Sequence, residues 1–358
     1  MSLDHAIAMF EHQAEACAEL GSPMYAELLR RATRDLAAGG PCAAAIAGYE
    51  DAPGPAAVAL RLLGGVHALV LTGRAPALAA HYPSAGGEFT DADAAWEAFD
   101  AALTGNPDWI RGWMTRPPQT NEVGRANLLT TGLRYALGGR PRPVRLFELG
   151  SSAGLNLLAD RFRYESPGFA AGPADSPVLL ADAWRGAPPA WLARAAGTPL
   201  RIVERHGCDP TPIDPRSDEG ALALRAYVWP DQPARTARLE GALRLAAEVP
   251  TEVAAVGAGA FLRGVETAEG TLTVVWHSVM KQYVPAEEWA VVQGELERLA
   301  AASSEDAPFA YLAFEPRRSG DRHPFLLTAR LGAGEERVLA EAVPHGLPAW
   351  DAEDVLLG

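Results

Sequence analysis

The stretch VRLFELGSSAGLNLLADRF, residues 144–162, governs how the rest of the chain is read. An apolar run closes at Glu148-Leu149-Gly150, small residues continue to Gly154, and Leu155, Leu157 and Leu158 then take up helical spacing. The pattern predicts a strand over 144–149, a tight glycine turn, and a helix over 153–160. Such a turn either cradles a nucleotide-like cofactor or presents Ser152 as a nucleophile, since Gly150-Ser151-Ser152-Ala153-Gly154 also spells G-x-S-x-G.

Downstream, short β-branched or aromatic runs alternate with helical segments, which is an α/β signature. Strands are expected at 144–149, 200–206, 252–257, 272–277, 309–315, 325–331 and 337–343, and helices at 153–160, 233–248 and 286–302. Little room for a helix remains between 325 and 343, so the sheet is expected to finish in an antiparallel hairpin. Upstream of residue 140 the apolar spacing is helical, as in Ile7, Phe10, Ala14 and Cys17, with 121–138 as the last helix. The expected organisation is an all-helical cap domain over 1–140 and an α/β domain over 141–358.

Composition narrows the function classes. The chain has 358 residues, 48% of them hydrophobic, enough for a substantial core, and a formal net charge of -14. That charge gives no footprint for nucleic acid or anionic lipid. Cys17, Cys42 and Cys208 are widely spaced and form no C-x-x-C pair, so neither a disulfide framework nor a metal site is expected. The acidic, histidine-bearing N-terminus does not read as a signal peptide, and a cytoplasmic location is expected. The most apolar window, 56–73, contains Arg61, His67 and two adjacent glycines and reads as a buried helix, so no membrane partner is expected.

A serine hydrolase built on such an elbow needs most of its sheet before the nucleophile, whereas here the region upstream of Val144 is helical. A dinucleotide loop wants glycine where Ser152 stands. A cofactor without phosphate relaxes that demand. The E-x-G-x-x-x-G run from Glu148 to Gly154 resembles the first motif of class I S-adenosylmethionine-dependent methyltransferases. The resemblance implies a Rossmann-like seven-stranded methyltransferase sheet with a C-terminal hairpin, and S-adenosyl-L-methionine as cofactor. It also implies that Glu148, Gly150, Ser151, Ser152, Gly154 and Asn156 lie around the cofactor.

Five stretches are similar to a bacterial family catalogued only as a domain of unknown function. They are FELGSSAGLNLLADRFRY, GCDPTPID at 207–214, YVWPDQ at 227–232 with Arg235 and Arg238, VVWHSVMKQYV at 274–284, and QTNEVGR at 119–125. That likeness supplies no reaction.

The methyltransferase resemblance also implies an acid on the ribose at the end of the second strand. Asp209 is the candidate, with Glu204 second, against a plain turn cap before Pro210. No acid marks the end of the third strand, where Ala258 and Gly259 stand. His277 and Ser278 close the fourth strand, at the edge where open α/β sheets bind ligands, so His277 is a candidate base and Ser278 a cofactor contact. The alternative for His277 is a hydrogen-bonded core residue. Lys281, Gln282 and Tyr283 follow within reach, Tyr283 as a second catalytic candidate and Lys281 as a substrate contact.

Asn121, Glu122 and Arg125 either line a cleft and bind substrate or simply cap the helix that follows. Asp231, Arg235 and Arg238 either grip an anion, or Asp231 caps the helix over 233–248 while the arginines face solvent. The expected function is methyl transfer to a small molecule held between helical cap and sheet. The alternatives are a serine hydrolase acting through Ser152 and a non-catalytic domain that binds a nucleoside ligand or a partner protein.

Overall fold

The computed structural model describes residues 3–249, 251–318 and 323–352. Eleven strands form among them: β1 (Val144–Leu149), β2 (Arg163–Ser166), β3 (Phe169–Ala171), β4 (Leu179–Leu180), β5 (Ile202–Cys208), β6 (Glu252–Ala254), β7 (Leu272–Ser278), β8 (Phe309–Pro316), β9 (Phe325–Leu331), β10 (Arg337–Ala342) and β11 (Ala349–Asp351). The architecture is mixed α/β with one large sheet in the order β11-β10-β9-β8-β7-β1-β5-β6. From β6 to β8 the neighbours run parallel, and from β8 to β11 they run antiparallel.

All seven expected strands are present, but the sheet differs from the expectation in two respects. It has eight strands, because β11 adds to the edge, and its end is a meander in which β9 pairs directly with β8. Pro316 and Phe325 are register partners, so only eight residues separate the two strands, fewer than the dozen or more that a parallel crossover needs. A second sheet, β3-β2-β4, comes between β1 and β5 in chain order and is not among the expected strands. The helix expected over 153–160 is instead the 3₁₀ segment Leu155–Arg161. The Tyr164 hydroxyl donates to the Ala159 carbonyl at 2.7 Å, so β2 takes over the closing backbone acceptor of that segment.

Strand β1 is buried along nearly its whole length, and β7 is buried at all but its last residue, as expected for parallel strands covered on both faces. On one face Phe147, Leu149 and Val275 pack with Val292, Leu296 and Leu299 of the helix Ala286–Ala301. The helix Ala126–Leu137 also packs on this sheet. A Cβ at Gly132 would stand 2.8 Å from the Leu312 side chain, so close approach requires glycine there. By packing, the chain forms two compact units, one of Met1–Thr120 with Ser217–Ala237 and the other of Asn121–Arg216 with Arg238–Gly358.

The first unit is helical. Its central helix Val58–Leu71 buries Leu62, Leu63, Val66 and Leu69, and Gly64 gives way to the Tyr227 ring, 2.6 Å from where a Cβ would lie. The segment Gly54–Leu71 is the one stretch of the described residues apolar and long enough to cross a membrane, and most of it is buried inside the unit. Asp231 caps the helix Pro23–Ala38, accepting from Ser22 Oγ at 2.6 Å and from Met24 N at 3.0 Å, rather than capping its own helix. Arg235 does not face solvent: it is buried, 5.4 Å over the Trp229 ring, and donates to Gln232 Oε1 at 2.7 Å.

His67 lies in the same core. Its Nδ1 contacts the Ala226 carbonyl at 3.1 Å and its Nε2 the Ser84 hydroxyl at 2.8 Å. The carbonyl can only accept, so Nδ1 carries the proton and Nε2 accepts from Ser84. Burial pushes the imidazole pKa down to about 4, well under the unfolded value near 6.5. Below pH 6.5 the unfolded chain therefore binds the extra proton, and stability falls as the pH drops from 6.5 toward 4. His67→Gln, which has no such titration, is expected to lose about 2–3 kcal/mol less stability than wild type between pH 7 and pH 4.5. Urea unfolding at the two pH values measures this, and equal losses in the two proteins would show that His67 carries none of the acid sensitivity.

Candidate functional site

In the sheet unit the chain runs outward from β1 through β5 to β6 on one side and through β7 to β8 on the other. Beyond the carboxyl ends of β1 and its neighbours lies the position where a parallel sheet of this order opens a crevice. The glycine turn closes β1 at that edge. Gly150, Ser152 and Gly154 all have left-handed φ, of 65°, 54° and 70°. A Cβ on Gly150 would stand 2.9 Å from Met280, and one on Gly154 2.9 Å from both Thr251 and Val253. These glycines therefore allow the turn to press against the loop after β7 and against β6.

Asp209 anchors the turn. Its Oδ2 accepts from Ser152 N at 3.0 Å, its Oδ1 from Thr211 N at 2.9 Å, and its own N–H donates to the Ala254 carbonyl at 3.0 Å. The residue expected on a ribose thus has both oxygens engaged by backbone. Glu204, the second candidate, sits earlier on β5 and holds Arg145 through Nε and Nη2. Ser151 N and Oγ both donate to the Cys208 carbonyl, at 3.0 and 3.3 Å, fixing the turn to the end of β5.

The stretch 121–125 meets the turn. Asn121 Oδ1 accepts from Leu155 N at 2.9 Å, and the Glu122 carbonyl accepts from Asn156 Nδ2 at 3.3 Å. Asn121 therefore caps the segment after the glycine turn, not the helix next to it in sequence. Glu122 Oε1 accepts from Gly124 N at 3.1 Å, and Arg125 reaches the carbonyls of Pro344 at 3.1 Å and Ser278 at 3.4 Å. Of the five described non-glycine residues with positive φ, Asn121, Ser152 and Val279 belong to this edge. Backbone strain of that kind concentrates at functional sites.

His277 is fully buried with both ring nitrogens occupied: Nδ1 meets Glu315 Oε1 at 2.7 Å, and Nε2 meets the Tyr311 hydroxyl at 2.7 Å. The carboxylate can only accept, so Nδ1 donates to it and Nε2 is left to accept from the Tyr311 hydroxyl. With Trp289 edge-on at 5.4 Å, the imidazole is enclosed and both of its nitrogens are engaged within the fold. Burial pushes Glu315 up, but the His277 pair and the Met280 and Lys281 N–H groups outweigh it and hold the carboxyl below its ordinary value. His277 thereby positions the start of the loop after β7. Lys281 lies 5.0 Å over the Trp289 ring, Gln282 is exposed, Tyr283 is 58% exposed, and Ser278 contributes its carbonyl to Arg125.

Three acceptors remain incompletely used. Glu148, 2% exposed, accepts from Trp276 Nε1 at 3.1 Å through Oε1, while its Oε2 has no partner. Burial pushes this carboxyl up to about 8. Asn156, also 2% exposed, has no partner for Oδ1. The third is Glu288, which sequence reasoning missed. From the helix Ala286–Ala301 its Oε1 accepts from Gly259 N at 2.8 Å, placing a carboxylate beside Ala258 and Gly259, where the strand end itself supplies none. The signal lies in Gly257 and Gly259, where a Cβ would meet Glu288 Oε1 at 2.8 and 3.2 Å; it becomes visible only in three dimensions. Cys208 among these acids is inert, its thiol pushed up to about 12 chiefly by burial. The arrangement suits a cationic or donor-rich ligand.

Asp209→Ala removes the acceptor of two N–H groups, and the variant is expected to unfold about 2–4 kcal/mol more easily than wild type in urea. An unchanged midpoint would remove Asp209 as the anchor of the turn.

Comparison with curated proteins finds no match to the chain. The family described as uncharacterized protein conserved in bacteria (DUF2332) matches residues 7–350, which takes in the strands, the glycine turn and the acids around it, and the chain belongs to that family.

Proposed function

We propose that the chain is an S-adenosylmethionine-dependent methyltransferase acting on a small molecule. The observation that carries this reading is the pair of buried, unpartnered acceptors, Glu148 Oε2 and Asn156 Oδ1, flanking the glycine turn at the end of the first strand. Buried polar atoms ordinarily find partners, so these two call for a ligand that brings donors. The amino group of S-adenosylmethionine is such a donor, and the further carboxylates of Asp209 and Glu288 suit the charge of its sulfonium. The parallel strands β6, β5, β1, β7 and β8 stand in the order third-second-first-fourth-fifth, which supports a Rossmann-like reading of this half of the sheet.

When bound, the cofactor supplies an activated methyl group; the chain supplies position. Glu148 and Asn156 hold the ligand's donors, Asp209 and Ser151 keep the turn in shape, and alignment of the acceptor atom accounts for much of the rate. The His277 nitrogens being engaged, a substrate that is itself nucleophilic fits better than one needing a strong base. A serine hydrolase is less well supported: the Ser152 N–H is held by Asp209, and His277 has no free nitrogen with which to activate a hydroxyl.

Calorimetric titration with S-adenosylmethionine and S-adenosylhomocysteine is expected to give micromolar dissociation constants for both, about -8 kcal/mol. Absence of heat with either ligand in folded protein overturns the reading. Fluorophosphonate labelling that disappears in Ser152→Ala would favour the hydrolase instead.

A further inference from the structure

We propose that ligand entry at Glu148 is a proton-for-cation exchange, in which the carboxyl holds a proton on its unbonded oxygen until a ligand ammonium takes that place and the proton leaves to solvent. The proposal rests on the reading above and specifies how the same site selects and is regulated.

The geometry comes first. Glu148 lies on β1 between Gly207 of β5 and Trp276 of β7, which are its register partners. Its neighbours provide one hydrogen bond, from the Trp276 indole, and none to Oε2. The charged and titratable groups facing it are Arg125 from the turn Val123–Arg125, Asp209 beyond β5, and the Cys208 thiol at the end of β5. Arg125 is drawn toward the carbonyls of Pro344 and Ser278, and Asp209 has the same sign as an ionised Glu148. A carboxylate sunk to 2% exposure with one neutral hydrogen bond and no ion-pair partner is costly, and protonation relieves that cost. The rise of this carboxyl to about 8, driven mainly by burial, agrees with the geometry.

A ligand ammonium reverses the balance, because it brings both N–H donors and a compensating charge within contact distance. The step is R–COOH plus R′–NH₃⁺ giving R–COO⁻ paired with R′–NH₃⁺, plus one proton released; no covalent bond to carbon or nitrogen changes. A neutral ligand that offers only a hydroxyl finds the carboxylic acid and expels nothing. The site therefore favours cationic amines increasingly as the pH rises toward 8. The folded carboxyl titrates above its ordinary value, so the cost of removing its proton opposes binding at low pH and shrinks as the pH rises.

The test is calorimetric titration of the full chain with S-adenosylhomocysteine at pH 7 in phosphate and in Tris, whose ionisation heats differ. Close to one proton released per ligand is expected, together with an affinity that rises about tenfold from pH 6 to pH 7. Glu148→Gln is expected to bind more weakly and to release no proton at either pH. Infrared difference spectra of the wild type give a second measure that needs no variant: a carboxylic acid carbonyl band should disappear when ligand is added. Tight binding without proton release or loss of that band overturns the exchange and leaves the methyltransferase reading standing. Absence of binding overturns both.

Discussion

The backbone amides of Ser152 and Thr211 end on the carboxylate of Asp209, whose own N–H ends on the Ala254 carbonyl. One residue thus ties together three segments, its side chain holding the turn after β1 and the loop after β5 and its backbone N–H reaching the end of β6. Without it Ser152 would have no reason to remain at φ 54°, a conformation that costs a non-glycine residue on the order of 1–3 kcal/mol. With Ser152 held, Gly150 can lie against Met280 and Gly154 against Thr251 and Val253, and the carboxyl edge closes tightly around β1. The shape of the candidate site follows from that clamp, since Glu148 precedes the turn by two residues and Asn156 follows it by two.

The clamp also separates groups that build the site from groups left free to act. Asp209, Asn121, Glu122 and His277 carry the strongest chemistry by residue type, yet each has hydrogen-bonded partners within the fold. Glu148 and Asn156 are less conspicuous and keep an unused acceptor in a buried position. In a protein interior an unmet acceptor is the costlier arrangement, so it is the better pointer to a ligand than a reactive residue type whose bonds are complete. His277 illustrates the difference: its strand-end position suggested a base, and the Glu315 carboxylate and Tyr311 hydroxyl account for both of its nitrogens.

The sequence carried the parts of the fold that depend on local pattern. The runs at 144–149, 272–277 and 325–331 became β1, β7 and β9 with bounds shifted by a residue at most, because apolar β-branched runs between turn signals specify strands locally. The helices at 233–248 and 286–302 appeared as Pro233–Glu248 and Ala286–Ala301 for the same reason. What escaped depends on tertiary partners. Strands of two or three residues such as β3 and β4 carry too few positions to show a period. The helix Ala126–Leu137 reads as one more helix in a helical run until Gly132 meets Leu312. Asp231 precedes a helix and looks like its cap, but Ser22 and Met24, more than two hundred residues away, are what it binds.

The five stretches that carry the likeness to the bacterial family divide in the structure according to the work they do. YVWPDQ serves the helical unit, where Asp231, Gln232 and Arg235 close polar ends that would otherwise be buried unpaired. QTNEVGR, FELGSSAGLNLL, GCDPTPID and the start of VVWHSVMKQYV meet at one edge of the sheet, joined by Asn121 to Leu155, Asp209 to Ser152 and Trp276 to Glu148. Each of these joins engages a side chain against a partner far away in sequence, so removing one would alter the shape of the edge before it altered any reacting group. Glu148 is the point at which structure and chemistry coincide: its Oε1 belongs to the framework through Trp276, and its Oε2 has no partner in the fold, which is why the proposed ligand contact is placed there.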